Sequence, residues 1–341
     1  MKKLIWFYIN LLLMVSVVWG QTAKNITNVA TTSAPFLSIE VGARAIAMGG
    51  AFVATSDDAT SLYWNPAGIG LLDQNEVSFH HTEWLAETNF DYAGIVIPLG
   101  LSGTVGLSFT SLTMSDMEVR TVFNPEGTGE LFTANDMAIG VSYAKNLTDR
   151  FTIGFTGKYI HQKLWHMTAS SFAFDIGTLF TTQLNGMRIG MSISNFGSKM
   201  QLVGKDTQVN YDVDEAKQGN NDKILAHLDT DKWSLPLTFR VGVAMEVLQT
   251  EFNYLTIAVD AIHPNDNTEC LNVGAEYVIK NRFFFRGGYK ALFQQDSEEG
   301  LTLGAGLAHN LTRYVRIKID YAYADFGLLE YVQRFSLALE F

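Results

Sequence analysis

The chain has 341 residues, enough for one large domain or two ordinary ones, and only 17% of them are charged. A soluble domain carries about 25% charged residues, so the surface has fewer solvated groups than a soluble fold would show. The formal net charge of -11 argues against nucleic acid as a partner, because phosphate binding needs a basic surface, and against attachment to an anionic membrane surface by charge alone. Hydrophobic residues make up 47%, with 23 Phe, 13 Tyr, 29 Gly and only 6 Pro, a profile that many strands with small residues between large ones would produce.

In chain order, the first predicted element is a secretory signal peptide over residues 1–20. Lys2 and Lys3 form a basic start, an apolar run follows from Leu4 to Val18, and Val18-Trp19-Gly20 offers a cleavage site with a small last residue. The alternative, an uncleaved anchor, requires a longer run and a stop-transfer pattern after it. No Cys follows the cleavage site, which excludes a lipid anchor there. No later run approaches the roughly 20 apolar residues of a membrane helix. A membrane form must therefore be a closed barrel, which satisfies every backbone hydrogen bond in lipid. Cys270, the only cysteine, permits neither an intrachain disulfide nor a cysteine-based metal site and reads as a small wall residue.

Residues 21–75 form the second region, and within it 33–70 is not strand-like. Gly42, Gly49 and Gly50 allow backbone conformations that other residues avoid. Asp57-Asp58 and Asn65-Pro66 are turn formers. Arg44, Asp57 and Asp58 are expected to pair inside a lumen, where isolated charges are unfavourable. The segment precedes the first strand, so it is placed to fold back as a plug or hatch.

From Glu76 to Phe341 the pattern has period two, as expected when successive side chains of a strand face opposite sides. Val315, Ile317, Ile319, Tyr321 and Tyr323 alternate with Arg316, Lys318, Asp320, Ala322 and Ala324. Leu237, Phe239, Val241, Val243 and Met245 alternate with Thr238, Arg240, Gly242, Ala244 and Glu246. About 14 strands are predicted, an even number as bacterial barrels require, at 76–84, 88–98, 103–111, 137–144, 151–164, 170–180, 187–194, 233–246, 253–262, 271–279, 283–290, 301–309, 314–324 and 333–341. The apolar register is assigned to lipid and the other to the lumen, where Arg240, Glu246, Asp260, Glu276, Arg286, Arg316, Lys318 and Asp320 either line a selective pore or form a paired network filling it. The even-numbered connections are all short and the odd-numbered ones include the long ones. Short periplasmic turns and longer outer loops give that asymmetry. Residues 195–232, polar and rich in Asp, Asn and Lys, read as a mobile outer loop.

The chain ends in an alternating strand closed by Phe341, which resembles the signature read by the outer-membrane barrel-assembly machinery. The ordered block Gly42-Ala43-Arg44-Ala45, Met48-Gly49-Gly50-Ala51, Asp57-Asp58-Ala59 and Tyr63-Trp64-Asn65-Pro66-Ala67-Gly68 resembles the PorV/PorQ family. It is also similar to the hatch of the wider FadL-like superfamily, whose Asn-Pro-Ala motif matches Asn65, Pro66 and Ala67. The resemblance implies an all-β fold: a closed antiparallel transmembrane barrel of 14 strands in the bacterial outer membrane, with an N-terminal luminal hatch. For PorV-like members it implies assistance to type IX protein secretion or surface attachment, with secreted cargo or secretion components as partners. For FadL-like members it implies passive transport of long-chain fatty acids or other hydrophobic small molecules through a lateral opening.

Other constellations read as structural. His80 and His81 face opposite sides of a strand and cannot chelate together. Asp57-Asp58 would need about six oxygens to hold Ca²⁺, and a turn or hatch salt bridge is expected instead. Neither a Gly-rich phosphate loop nor a nucleophile elbow appears, and no Ser, His and Asp are brought together by spacing. No catalytic residue, metal or cofactor is predicted, although an outer-membrane hydrolase stays as a third reading.

Overall fold

The computed structural model describes residues 28–213, 224–294 and 297–341; the expected signal peptide over 1–20 lies outside them. Fourteen long strands form the wall. They are β1 (Glu76–Trp84), β2 (Thr88–Pro98), β3 (Thr104–Met114), β4 (Ala134–Thr148), β5 (Phe151–Leu164), β6 (Met167–Thr181) and β7 (Arg188–Gly197) in the first half. The second half comprises β8 (Thr238–Gln249), β9 (Asn253–Pro264), β10 (Cys270–Ile279), β11 (Phe283–Leu292), β12 (Leu301–Asn310), β13 (Arg316–Asp325) and β14 (Tyr331–Glu340). Each pairs antiparallel with its neighbour in sequence, and β1 pairs with β14 from Glu76↔Glu340 to Thr82↔Arg334, closing the ring. Closure leaves no edge strand with unpaired backbone. Beyond the last strand, the N–H groups of Phe341 and Asn75 each donate to the other's carbonyl, at 2.9 and 3.1 Å.

The alternation that predicted the strands decides which way they face. Along β6, Met167, Ala169, Ser171, Ala173 and Asp175 are buried while Phe172, Phe174 and Ile176 are exposed. The exposed set is the apolar one, the arrangement that an outer-membrane wall requires. The turns beside Asn75 and Phe341 are tight, whereas the opposite rim carries the long connections.

Most strand ends fall within four residues of the sequence pattern, and two regions depart further. The eighth strand begins at Thr238 rather than 233, because Pro236 has no N–H for the ladder; Lys232–Trp233 instead pairs with Met200–Gln201. The connection expected to be one mobile loop is partly folded. Val203–Gly204 extends the pairing of β6, and Gln208–Tyr211 pairs with Ile224–His227.

The interior of the ring is filled by the chain that precedes it. Residues 34–72 contain two short helices, α1 (Ala43–Ala47) and α2 (Ser61–Trp64), and the 3-10 turn Pro66–Leu71. Gly42, Gly49 and Gly50 have φ of 89°, 66° and 73°, the left-handed region that favours glycine. Ile46, Met48, Phe52, Leu62 and Trp64 are at most 2% exposed, and all but Leu62 pack in one cluster with Ala244, Ala258, Ala322 and Ala324 of the wall. Trp64 meets Phe52 edge to face at 6.0 Å and donates its indole N–H to the Val41 carbonyl at 2.9 Å.

Candidate functional site

The segment has little regular structure, so its backbone groups need side-chain partners. Asn65 supplies three of these contacts. Its Nδ2 donates to the Val53 carbonyl at 2.9 Å and to the Thr178 carbonyl of β6 at 3.1 Å, while its Oδ1 accepts from Ala67 N–H at 3.2 Å, capping the 3-10 turn. Pro66 occupies the first position of that turn, where a missing N–H is harmless. Asp260 on β9 accepts the N–H groups of Phe52 and Val53 at 2.7 and 2.8 Å. Glu76 on β1 accepts Ala59 N–H at 2.9 Å, and Ser336 on β14 accepts Ala43 N–H at 2.8 Å. Strands on several sides of the ring therefore hold the segment by its main chain.

A chain of ion pairs runs through the same region. Arg44 Nη1 reaches Asp57 at 2.5 Å and Asp58 at 2.9 Å, while its Nη2 and Nε grip both oxygens of Glu276 at 3.0 and 3.1 Å. Arg286 donates to Glu276 at 2.6 Å and to Asp320 at 2.5 Å. Arg188 adds a second cation on Asp57 at 3.2 Å. Burial alone would raise the Asp57 carboxyl, but the Arg44 and Arg188 guanidinium groups outweigh it and hold that carboxyl well below the usual carboxylate range. Burial likewise works against charge on Arg44, and Asp57, Glu276 and Asp58 overcome it, leaving the guanidinium more firmly protonated.

The remaining predicted charges take varied positions. Lys318 pairs with Glu340 and lies 3.9 Å from Glu76, and Arg316 sits 3.6 Å from Glu340 while donating to the Asn281 carbonyl at 2.7 Å. Glu76, Arg316 and Lys318, with Arg44, Asp57 and Asp320, line a cavity of roughly 260 Å³ of mixed polar and apolar surface near the short turns. Arg240 is buried under the rings of Trp64 and Tyr63, its guanidinium carbon 5.4 and 5.9 Å from their centroids. Glu246 shares a row with Thr256 but is exposed. Asp58 keeps one oxygen for Thr60, whose N–H and hydroxyl donate to it at 2.9 and 2.5 Å. No group of three or more His, Cys, Asp or Glu residues among the described residues could hold a metal ion.

Several contributors were not singled out in the sequence. Arg188 belongs to the ionic chain, and Lys290 binds Glu40 of the segment at 3.1 Å. The glycines of the inward register matter as much. Gly154 pairs with Gly177, Gly190 with Gly242, and Gly274 with Gly288. A Cβ at these positions would collide with Pro66 and Asn65, with Val53, and with Met48 and Gly49 respectively. Cross-strand glycine pairs in the luminal register were the available signal for close approach of another backbone.

A closed 14-strand antiparallel wall around a packed N-terminal segment defines an outer-membrane β-barrel. Solved structures share this fold: the CymD monoaromatic hydrocarbon channel, with 12% identity, 89% of this chain and 97% of that one covered and a TM-score of 0.56; the Ralstonia pickettii toluene transporter TbuX, with 12%, 88%, 97% and 0.54; and a Pseudomonas aeruginosa FadL homologue, with 11%, 86%, 96% and 0.50. Such identities establish the fold alone. No curated protein sequence matches. The profile of the family described as "Type IX secretion system protein PorV" matches residues 21–262, and the chain belongs to that family.

Proposed function

We propose that this outer-membrane protein serves type IX secretion as a plugged docking barrel, which retains secreted cargo or secretion components at the cell surface instead of conducting solutes. In this reading residues 21–75 act as a hatch and 76–341 as the barrel, after removal of 1–20. Arg44, Asp57, Asp58, Asn65, Pro66 and Ala67 hold the hatch, the luminal charges anchor it, and Phe341 on the closing strand is read by the assembly machinery. The protein acts by binding and carries out no catalysis.

The observation that carries this reading is the filled lumen: Met48, Phe52 and Trp64 are 0% exposed, and Arg44 ties the segment to Glu276 of the wall. Transport of hydrophobic molecules, as by the CymD monoaromatic hydrocarbon channel and the toluene transporter TbuX, needs apolar space. The cavity beside Phe36, Leu62 and Tyr92 measures roughly 20 Å³, about the room of one water molecule, and the larger one of roughly 260 Å³ is ringed by charged groups, Arg44, Asp57, Glu76, Arg286 and Lys318 among them. The test is deletion of the gene followed by quantification of surface-displayed type IX cargo. Loss of display, restored by the intact chain, is expected; unchanged display would overturn the reading.

A further inference from the structure

Between β1 and β2 the outward register turns ionic. On β1, Val77 and Phe79 give way to His81 and Glu83; on β2, Asn89 and Asp91 precede Ala93 and Ile95, and the rows pair Glu83↔Asn89, His81↔Asp91 and Phe79↔Ala93. His81 Nδ1 lies 2.7 Å from Asp91 Oδ1, and the two side chains are 54% and 50% exposed. On one flank the same row continues into Phe335 and Tyr321, whose rings are 5.2 Å apart. The connecting turn adds a third exposed carboxylate, Glu87.

Depth makes this arrangement costly in lipid. A rise of about 3.3 Å per residue and a tilt of about 40° place His81 about 13 Å, and Asp91 about 18 Å, above the short-turn ends of their strands, inside an apolar band about 25 Å tall. Beside the ion pair, Phe79, Phe109, Phe335 and Leu337 surround the small Ala93 and line an outward groove of roughly 400 Å³. The wall thus presents an apolar trough edged by Asp91 and His81, with Glu83 two positions further along the outward register of β1 and Glu87 in the turn beyond it, three carboxylates against the single His81.

We propose that this notch is the docking site for a different protein embedded in the same membrane, which inserts an arginine. The aliphatic stem would lie in the trough over Ala93, and the guanidinium would pair with Asp91 and Glu83. Arginine combines an apolar stem with a planar donor fork that fits carboxylates. A second copy of this chain would set acidic rim against acidic rim, and an anionic lipid headgroup would meet the same repulsion. The inference rests on the secretion reading, in which the barrel docks secretion components at the outer membrane, and it specifies the face and chemistry of the contact.

The test uses the full chain in its native outer membrane, with Ala93 replaced by the photocross-linker p-benzoylphenylalanine. A discrete adduct with another membrane protein is expected, mapped by mass spectrometry next to an arginine of its wall. The adduct should fall roughly tenfold when Glu83→Lys and Asp91→Lys are combined, and survive Asp91→Glu. Heat-modifiable gel mobility establishes that each variant has folded. Cross-linking only to lipid, only to a second copy, or not at all would overturn the proposal, as would an adduct indifferent to charge reversal. If the adduct is lost while cargo display persists, the docking face stands and its role in secretion fails. If gene deletion abolishes display but no adduct forms, the secretion reading stands and this inference fails.

Discussion

The wall and the segment inside it are stabilised by opposite strategies. The wall satisfies its backbone through a repeating ladder, so each strand needs only the correct alternation of side chains, and many residues share the load. Residues 34–72 have almost no ladder, and a few side chains carry the hydrogen bonds that a sheet would have supplied: Asn65, Asp260, Glu76 and Ser336 on main-chain groups, and Arg44 on three carboxylates. Regular structure distributes tolerance, whereas irregular structure concentrates dependence.

That contrast predicts a hierarchy of mutational effects. Arg44→Met should be the most damaging, since it leaves Glu276 with Arg286 alone and Asp57 with Arg188 alone and removes the guanidinium from Asp58; breaking a buried pair costs at most about 3–5 kcal/mol. Limited proteolysis should then cleave within 34–72 while the wall stays resistant, and planar-bilayer recordings should show conductance that the unaltered chain lacks. If cleavage and wall unfolding rise together, the two regions are one cooperative unit and the contrast fails. Val259→Arg, on the outward face of β9, should cost about 2–4 kcal/mol near the midplane, measured as a lower denaturant midpoint in lipid vesicles with the segment still protected. Asn65→Ala should loosen the segment by about 1–3 kcal/mol through unsatisfied buried carbonyls, read as faster amide exchange at Val53 and Ala67. Glu246→Gln, exposed although in the luminal register, should change stability by less than about 0.5 kcal/mol.

Acid sharpens the same comparison. The folded-state carboxyl of Asp57 titrates below its unfolded value, so its contribution is complete above about pH 4 and disappears as pH falls through the lower folded value. Protection of residues 34–72 should decline on acidification below pH 4 while the wall's sheet signal in circular dichroism holds. Protection that is flat down to pH 2 would remove Asp57 from the set of anchors.

The wall was legible because its rule is local: period two shows which side chains meet lipid, and all fourteen strands followed from it. The interior was legible only in part. Arg44, Asp57, Asp58 and Asn65 stood out as charges and turn formers in a segment too irregular for a strand. Asp260, Glu276 and Arg286 stood out as luminal charges, but which group of the segment each one meets did not, because a closed ring brings β7, β9, β10 and β14 around one segment at positions fixed by shear, which no single strand encodes. Arg188 looked like the edge of a strand, and Lys290 like one of many polar residues. Glu246 shows the converse: the correct register on a strand extends beyond the packed region, where nothing reaches it.

The seam between β1 and β14 has a consequence for biogenesis. The strand that follows the luminal segment must find the fourteenth strand of the wall, so the ring stays open until that strand is available. Residues 34–72 precede β1 in the chain, so they are already present when β14 pairs with β1 and Phe341 bonds with Asn75.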